Sequence, residues 1–291
     1  MEILRFENIP LPDMARWRRE SGERPSRHWE KVCDAAGEAR SLTILILPYA
    51  PYLPTAEGVE ISAFYVASNL LHGLAGKDAL DMPVKPLLAG YGIGAYGRNG
   101  LISISGAGTR FAAAVMKSDA EADDAWRWDD MRPLAKECDG CEICVRACPG
   151  GALYGNGRLD VDRCIRAQAQ YQTPRMPDES RDNVGASAWS CEMCQEKCLR
   201  NAGIAPVKMP DELEAALELK KLLTGDVKPL GGWIGSNYAR PARMQARGCI
   251  VAANMNRKDL LPEIRALVKS PVEPVRDCAE WAINKLENGG Y

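Results

Sequence analysis

Eight of the eleven cysteines stand close together in the middle of the chain. The first four, from Cys138 to Cys148, are spaced by two, two and three residues, and Pro149 follows them. Bacterial ferredoxins carry this C-x2-C-x2-C-x3-C-P pattern, in which three thiolates bind one [4Fe-4S] cluster and the fourth binds another cluster. The spacing therefore predicts two clusters, and the second one needs further ligands.

Those ligands are found downstream, where Cys164 follows a Gly-Asn-Gly turn and three further cysteines stand between Ser190 and Leu199. The crossed arrangement of two-cluster ferredoxins divides the eight thiolates into two sets. The first set is predicted to be Cys138, Cys141, Cys144 and Cys198, and the second set Cys148, Cys164, Cys191 and Cys194. Zinc also binds four cysteines, but its ribbons rarely use three cysteines at successive two-residue gaps.

The other three cysteines, Cys33, Cys249 and Cys278, stand alone in apolar or helical contexts and are expected to be small buried residues. The N-terminal sequence lacks the basic start and apolar run of an export signal, and no apolar stretch reaches the roughly 18 residues of a membrane span. We therefore expect a cytoplasmic protein without a membrane partner. A disulfide framework is not expected in that reducing compartment.

Upstream of the cysteines, hydrophobic periodicity predicts an α/β domain. Residues 41–48 form an apolar run typical of a buried strand, residues 58–76 have helical spacing, and strands are predicted at 101–105 and 111–116. The glycine-rich loop between these elements nearly matches G-x-G-x-x-G. However, a helical segment precedes it and a strand follows it, which is the reverse of the order in a nicotinamide site.

Downstream of the cysteines the chain is predicted to be helical. Residues 211–226 have helical character, and residues 239–289 show two amphipathic pairs, with a helix starting near Val275. Stacked pairs of this kind are typical of a short HEAT-type solenoid. The predicted fold class is α+β. Its predicted parts are an α/β domain (1–130), a ferredoxin-like two-cluster module (131–204) and HEAT-like helices (205–291).

In this order the features resemble the epoxyqueuosine reductase family, which is related to cobalamin-dependent reductive dehalogenases. The resemblance rests on the "LPY" end of the first predicted strand, the loop "GYGIGAYGRNGLI", the eight cysteines and the C-terminal "VRDCAEWAINKL". It implies a nitroreductase-like core that holds cobalamin, two [4Fe-4S] clusters, and reduction of epoxyqueuosine to queuosine in tRNA. It also implies an electron donor such as ferredoxin or flavodoxin.

The resemblance also implies roles for particular residues. Asp81, two residues before Pro83, matches the family's proton-donating aspartate, a role that requires a raised pKa. Alternatively, Asp81 caps a helix starting at Pro83. Contacts to the corrin are expected from glycines, which let the backbone approach a flat ring, and from their polar neighbours. These residues are Gly92, Gly94, Tyr96, Gly97, Arg98 and Asn99. The alternative for them is a tight turn with an exposed basic residue.

The chain departs from the family pattern in several places. The segment between residues 52 and 81 is short, and Arg110, Phe111 and Ala112 replace an aromatic pair. Ala95 and Gly100 replace a tryptophan and a threonine of the family's glycine-rich loop. Three hypotheses therefore stay open. The chain is an epoxyqueuosine reductase, an electron-transfer protein that has lost the catalytic pocket, or a corrinoid reductase of a small molecule such as an organohalide.

A tRNA partner would need a basic surface. The formal net charge is -2, and basic and acidic residues are nearly balanced after residue 205, so a strong basic bias is absent. Arg240, Arg243 and Arg247 recur at spacings of three and four, which would place them on one helix face. That face is predicted to be either a contact for the tRNA backbone or an ordinary solvated surface. No oligomeric state is predicted.

Overall fold

The structure, a computed structural model, describes residues 2–12, 36–37, 39–129, 134–171 and 176–289, so that Cys33 lies outside the described residues. The strands are β1 (Leu4–Ile9), β2 (Ser41–Pro48), β3 (Glu60–Ile61), β4 (Ala79–Leu80), β5 (Ala95–Tyr96), β6 (Ile102–Ser103), β7 (Phe111–Ser118) and β8 (Ser187–Trp189). The helices are α1 (Ala63–Ala75), α2 (Val84–Gly90), α3 (Ile143–Arg146), α4 (Ile165–Tyr171), α5 (Asp178–Asp182), α6 (Met193–Glu196), α7 (Asp211–Ala216), α8 (Leu219–Thr224), α9 (Lys228–Ile234), α10 (Pro241–Asn254), α11 (Leu261–Leu267) and α12 (Glu273–Asn288). The predicted α+β class is confirmed.

Four strands form the N-terminal sheet in the order β1-β2-β7-β4, and every neighbouring pair is antiparallel. The central strand β2 pairs with β7 from end to end. Its side chains alternate between two cores. Leu45 and Leu47 pack on the side of α1, whereas Ile44 and Ile46 pack on the side of α2. Burial on both faces explains why this strand is a continuous apolar run in the sequence.

The glycine-rich loop forms a hairpin in which β5 and β6 pair antiparallel shortly after α2. A helix before the loop and a strand after it confirm the order that argued against a nicotinamide site. Gly94 is needed for close packing, because a Cβ there would lie 2.5 Å from the Ile102 side chain and 2.8 Å from the carbonyl oxygen of Ser103. The strand predicted at 101–105 is shorter than expected, since regular pairing is confined to β6.

The C-terminal helices share one hydrophobic core with the cysteine-rich region. This core includes Ile165, Trp189 and Leu286, and within it α10 packs against α8, α12 and β8. The first predicted helical stretch of this segment is divided into α7 and α8, and the last helix begins at Glu273 rather than near Val275. Within the described ranges, no helix is long and apolar enough to cross a membrane.

Candidate metal centre

Two segments with matching sequences, each containing a short helix, carry six of the eight clustered cysteines. Helix α3 lies within residues 141–148 and α6 within residues 191–198, and both segments have the sequence C-E-x-C-x3-C. Glu142 and Glu192 precede the two helices with φ/ψ angles of -125°/15° and -120°/12°. The equivalent cysteines are therefore presented on the same local backbone. The repeat adds a shared glutamate after the first cysteine to the ferredoxin spacing.

The first predicted set of thiols faces one cavity of about 590 Å³. Burial raises the pKa of the Cys144 thiol, and the three other thiols of the set raise it further. Cys198 belongs to this group although more than fifty residues of chain separate it from Cys144. The four thiols that the structure brings together here are Cys138, Cys141, Cys144 and Cys198.

The second predicted set faces another cavity, of about 370 Å³, between the sheet and the cysteine-rich region. Burial raises the pKa of Cys194 to about 12, and the neighbouring thiols of this set contribute to the rise. Cys148 lies here, away from the three cysteines that precede it in sequence. The thiols that line this cavity are Cys148, Cys164, Cys191 and Cys194. The structure thus groups the cysteines in the crossed manner expected from the spacing.

The donor set fits iron-sulfur clusters better than single ions. A zinc ion draws its four ligands to within about 2.3 Å of one point. Across the part of the chain that the structure describes, no three His, Cys, Asp or Glu side chains converge closely enough to hold one ion. In a cubane each thiolate binds a different iron, so the thiols stand farther apart. Cys249 and Cys278 are buried and belong to the hydrophobic core, as predicted.

A buried ion pair fastens the second cysteine segment to the sheet. Arg110, the residue before β7, is 3% exposed and lies 2.5 Å from the carboxylate of Glu192, the residue between Cys191 and α6. Ser62 and Tyr49 donate hydrogen bonds to the same carboxylate. The sequence reasoning noted Arg110 only as a departure from an aromatic pattern. Its partner lies 82 residues away, so no local signal could have indicated the contact.

Polar contacts also join the glycine-rich region to the second cysteine segment. The amide of Asn201 donates to Thr109 Oγ1 at 2.9 Å and to the carbonyl oxygen of Gln195 at 2.8 Å. The backbone N–H of Thr109 donates in return to Asn201 Oδ1 at 2.9 Å. A Cβ on Gly108 would overlap that same oxygen, so the close approach requires glycine.

Two cations that the sequence reasoning missed face the cavity of the second set. Burial lowers the pKa of Lys85 to about 8, and its ammonium group donates to the carbonyl oxygen of Gly100 at 2.8 Å. The guanidinium of Arg166 stacks 4.4 Å from the centre of the Phe64 ring. Both side chains line the cavity with the thiols of the second set. In the sequence, Lys85 resembles any surface lysine of a short helix.

The residues predicted to contact a corrin are mostly engaged within the protein. Arg98 donates to the carbonyl oxygens of Cys138 (2.7 Å) and Gly155 (2.9 Å), and so ties the hairpin to the first cysteine segment. Asn99 is buried and accepts a hydrogen bond from the backbone of Leu101. Gly97, Arg98 and Asn99 also line the first cavity, Gly92 and Gly94 line a neighbouring one, and Tyr96 belongs to β5.

Asp81 lies on the segment between β4 and α2 and is exposed. It lines neither of the cavities that contain the cysteine sets. The alternative interpretation, a helix cap, is wrong. Helix α2 begins at Val84, Pro83 occupies the N-cap position, and no side chain caps the helix. Asp81 stands two residues before that cap, too far along the chain to bond the first turn in the usual way.

The three C-terminal arginines do not form a solvated face. Arg240 is exposed but precedes α10 as its N-cap residue, Arg243 is half-buried, and Arg247 is 4% exposed. The prediction of a common solvent-facing surface is therefore wrong for Arg247. Helical spacing placed the three residues near one face, but the packing of α10 against α12 and β8 buries part of that face.

Two sets of four thiols on an α+β fold define a two-cluster iron-sulfur protein. A family model described as a 4Fe-4S double cluster binding domain matches residues 137–201. The chain is 32% identical over 212 residues to the epoxyqueuosine reductase of Lactococcus garvieae, and the match covers 68% of this chain and 56% of that protein. The chain therefore resembles the epoxyqueuosine reductases. The chain spans about half the length of the curated relatives it matches.

Solved structures of epoxyqueuosine reductases share the fold. One is epoxyqueuosine reductase from Bacillus subtilis, with a catalytic aspartate loop swung out of the active site (TM-score 0.69, 23% identity, 98% of this chain and 86% of that chain). Another is an epoxyqueuosine reductase with an epoxyqueuosine-modified tRNA stem loop (TM-score 0.71, 22% identity, 98% of this chain and 86% of that chain).

Proposed function

We propose that this chain is an iron-sulfur reductase that converts epoxyqueuosine in tRNA to queuosine. The observation that carries the proposal is the sorting of eight cysteines into two four-thiol cavities, on a fold shared with epoxyqueuosine reductases. The reaction removes the epoxide oxygen as water and consumes two electrons and two protons. Clusters that carry one electron each are suited to deliver the electrons in two steps.

In this proposal each thiol set binds one [4Fe-4S] cluster. Cys138, Cys141, Cys144 and Cys198 hold the first, and Cys148, Cys164, Cys191 and Cys194 hold the second. The mutual effect of the thiols on one another's pKa supports this division. A low-potential one-electron donor, such as ferredoxin or flavodoxin, supplies the electrons.

The proposal includes cobalamin, and the residues beside the first thiol set fit a large ligand. Two cavities of about 590 and 410 Å³ share Ser103 and Arg200 in their walls. The hydroxyl of Ser103 is buried and has no hydrogen-bond partner among the described residues. Gly92 leaves open space where a side chain would stand. These residues would hold the ligand, and cobalamin, when bound, would supply a reducible cobalt that passes electrons to the substrate.

Asp81 is the proton donor in this proposal. The protein needs an acid to protonate the departing oxygen, and Asp81 stands on the exposed segment before α2. The Bacillus subtilis relative has a catalytic aspartate loop swung out of its active site. By analogy, the observed position of Asp81 corresponds to an open form, and the segment moves toward the cavity when substrate binds.

The direct test is turnover of an epoxyqueuosine-modified tRNA stem loop by anaerobically prepared, cluster-loaded protein with cobalamin and a chemical reductant. Mass spectrometry of the nucleosides should show queuosine. Asp81→Asn should retain full iron but lose turnover, whereas Asp78→Asn, three residues away, should retain both. Absence of queuosine with two clusters and cobalt bound would refute the proposed reaction.

A second candidate is an electron-transfer protein without a corrinoid. The observation that favours it is the engagement of Arg98 and Asn99 in hydrogen bonds within the protein, which removes two predicted corrin contacts. This candidate predicts reversible one-electron reduction, full iron and no cobalt. Measurement of iron, sulfide and cobalt in one sample distinguishes the two, because the reductase requires about one cobalt per chain.

A further inference from the structure

Three cations lie near the second thiol set. Lys85 and Arg166 line its cavity, and Arg247 approaches it from α10, where its charge acts on Cys191. Arg247 is 4% exposed, and both terminal nitrogens of its guanidinium have no hydrogen-bond partner among the described residues. An unpaired cation in such a position is unusual in a folded protein.

The energetics of burial require a negative counterpart for Arg247. Removing a charge from water costs several kcal/mol, unless an opposite charge or hydrogen bonds compensate. Burial lowers the pKa of Arg247 to about 10, and the nearby Cys191 opposes this effect. A cluster bound at Cys191 would supply this negative counterpart.

The first thiol set has a different electrostatic environment. Arg200 lines its cavity but is paired with Glu137 at 2.5 Å, so that its charge is largely neutralised. This set also lies near the surface, where Leu199, next to Cys198, is 67% exposed. Solvent can then stabilise the additional charge of a reduced cluster. In the second set, Lys85 and Arg166 line the cavity, and their positive charges favour the gain of negative charge that reduction brings.

We propose that Lys85, Arg166 and Arg247 compensate the negative charge of the second cluster and raise its reduction potential, so that it accepts electrons from the first. The inference rests on the proposed binding of one cluster by each thiol set. Each transfer moves one electron between clusters and makes or breaks no bond. The electron originates from the external donor and equilibrates between the two clusters.

The test is a redox titration of the full, cluster-loaded chain, with dithionite as reductant and the electron paramagnetic resonance signals of the reduced clusters as the readout. Lys85→Met and Arg247→Met should each shift one of the two potentials to a lower value and leave the other unchanged. Arg247→Lys should keep the potential close to the parent value, because lysine retains the positive charge. Arg240→Gln, at the exposed N-cap of the same helix, should change neither potential.

The outcomes separate this inference from the proposed function. A parent protein without two titrating clusters would overturn the proposed function, and this inference with it. Two clusters whose potentials are the same in Lys85→Met, Arg247→Met and the parent overturn the inference alone, and so does an equal shift of both potentials. If Arg247→Met loses its second cluster, the potentials of Lys85→Met and Arg247→Lys decide the matter.

Discussion

The ion pair between Arg110 and Glu192 offers the sharpest test of how the sheet holds the metal centre. Replacement of Arg110 by methionine retains much of the apolar volume but leaves the Glu192 carboxylate, which is 15% exposed, without its cation. Ser62 and Tyr49 would still donate to it. Removal of one partner from a buried pair typically costs about 3–5 kcal/mol, since an uncompensated charge stays behind.

The internal repeat supplies a matched control. Glu142 occupies the position equivalent to Glu192 in the first segment, but its partner Arg146 is 3.8 Å away and both side chains are more than half exposed. Exposed pairs of this kind contribute about 0–1 kcal/mol, because water and salt screen the charges. Arg146→Met should therefore have little effect.

The assay is urea unfolding of cluster-loaded protein under anaerobic conditions, followed by the visible absorption of the clusters. A loss of 3–5 kcal/mol should lower the midpoint by roughly 1–2 M, given the slopes expected for a chain of this size. The double variant Arg110→Met/Glu192→Gln should recover part of the loss, because it removes the unpaired charge. Equal midpoints for Arg110→Met and Arg146→Met would refute the fastening role of the pair.

Three further expectations concern other parts of the molecule. Gly108→Ala should lower the urea midpoint and the iron content, because Gly108 has a φ of +58° and a Cβ there would overlap the side-chain oxygen of Asn201. Gly73→Ala is the control: Gly73 has open space around it in α1, so the substitution should stabilise the protein by about 0.5–1 kcal/mol. Without bound clusters, burial lowers the pKa of Lys85 from 10.5 to about 8, so its ammonium group destabilises the folded state below pH 8. In cluster-free protein Lys85→Met should therefore be more stable than the parent below pH 8, and the difference should disappear as pH rises toward 10.5. Urea midpoints across this range would show the change, and a constant difference would contradict it. Cys148→Ser should halve the iron content and abolish the same cluster's electron paramagnetic resonance signal as Cys164→Ser, whereas Cys249→Ala should keep all the iron. If Cys148→Ser and Cys164→Ser abolished the signals of different clusters, the crossed arrangement would be contradicted.

Local sequence patterns were sufficient for much of this molecule. The apolar run of β2, the helical spacing of α1 and the strand β7 were predictable because each depends on the residues within the element itself. The two cluster sites were predictable for a similar reason. The spacing from Cys138 to Cys148 reflects how far a short backbone segment can reach around a [4Fe-4S] cluster. That reach depends only on the residues of the segment itself.

The tertiary structure decided which charges are buried and with which partners. Helical spacing grouped Arg240, Arg243 and Arg247, but only the packing of α10 showed that Arg247 faces the interior beside Cys191. Likewise, Lys85 became a buried cation because the cysteine-rich region covers α2. Periodicity specifies which residues share a face of a helix or strand. Whether a charge on that face is buried depends on the residues that pack against it, and these come from distant parts of the chain.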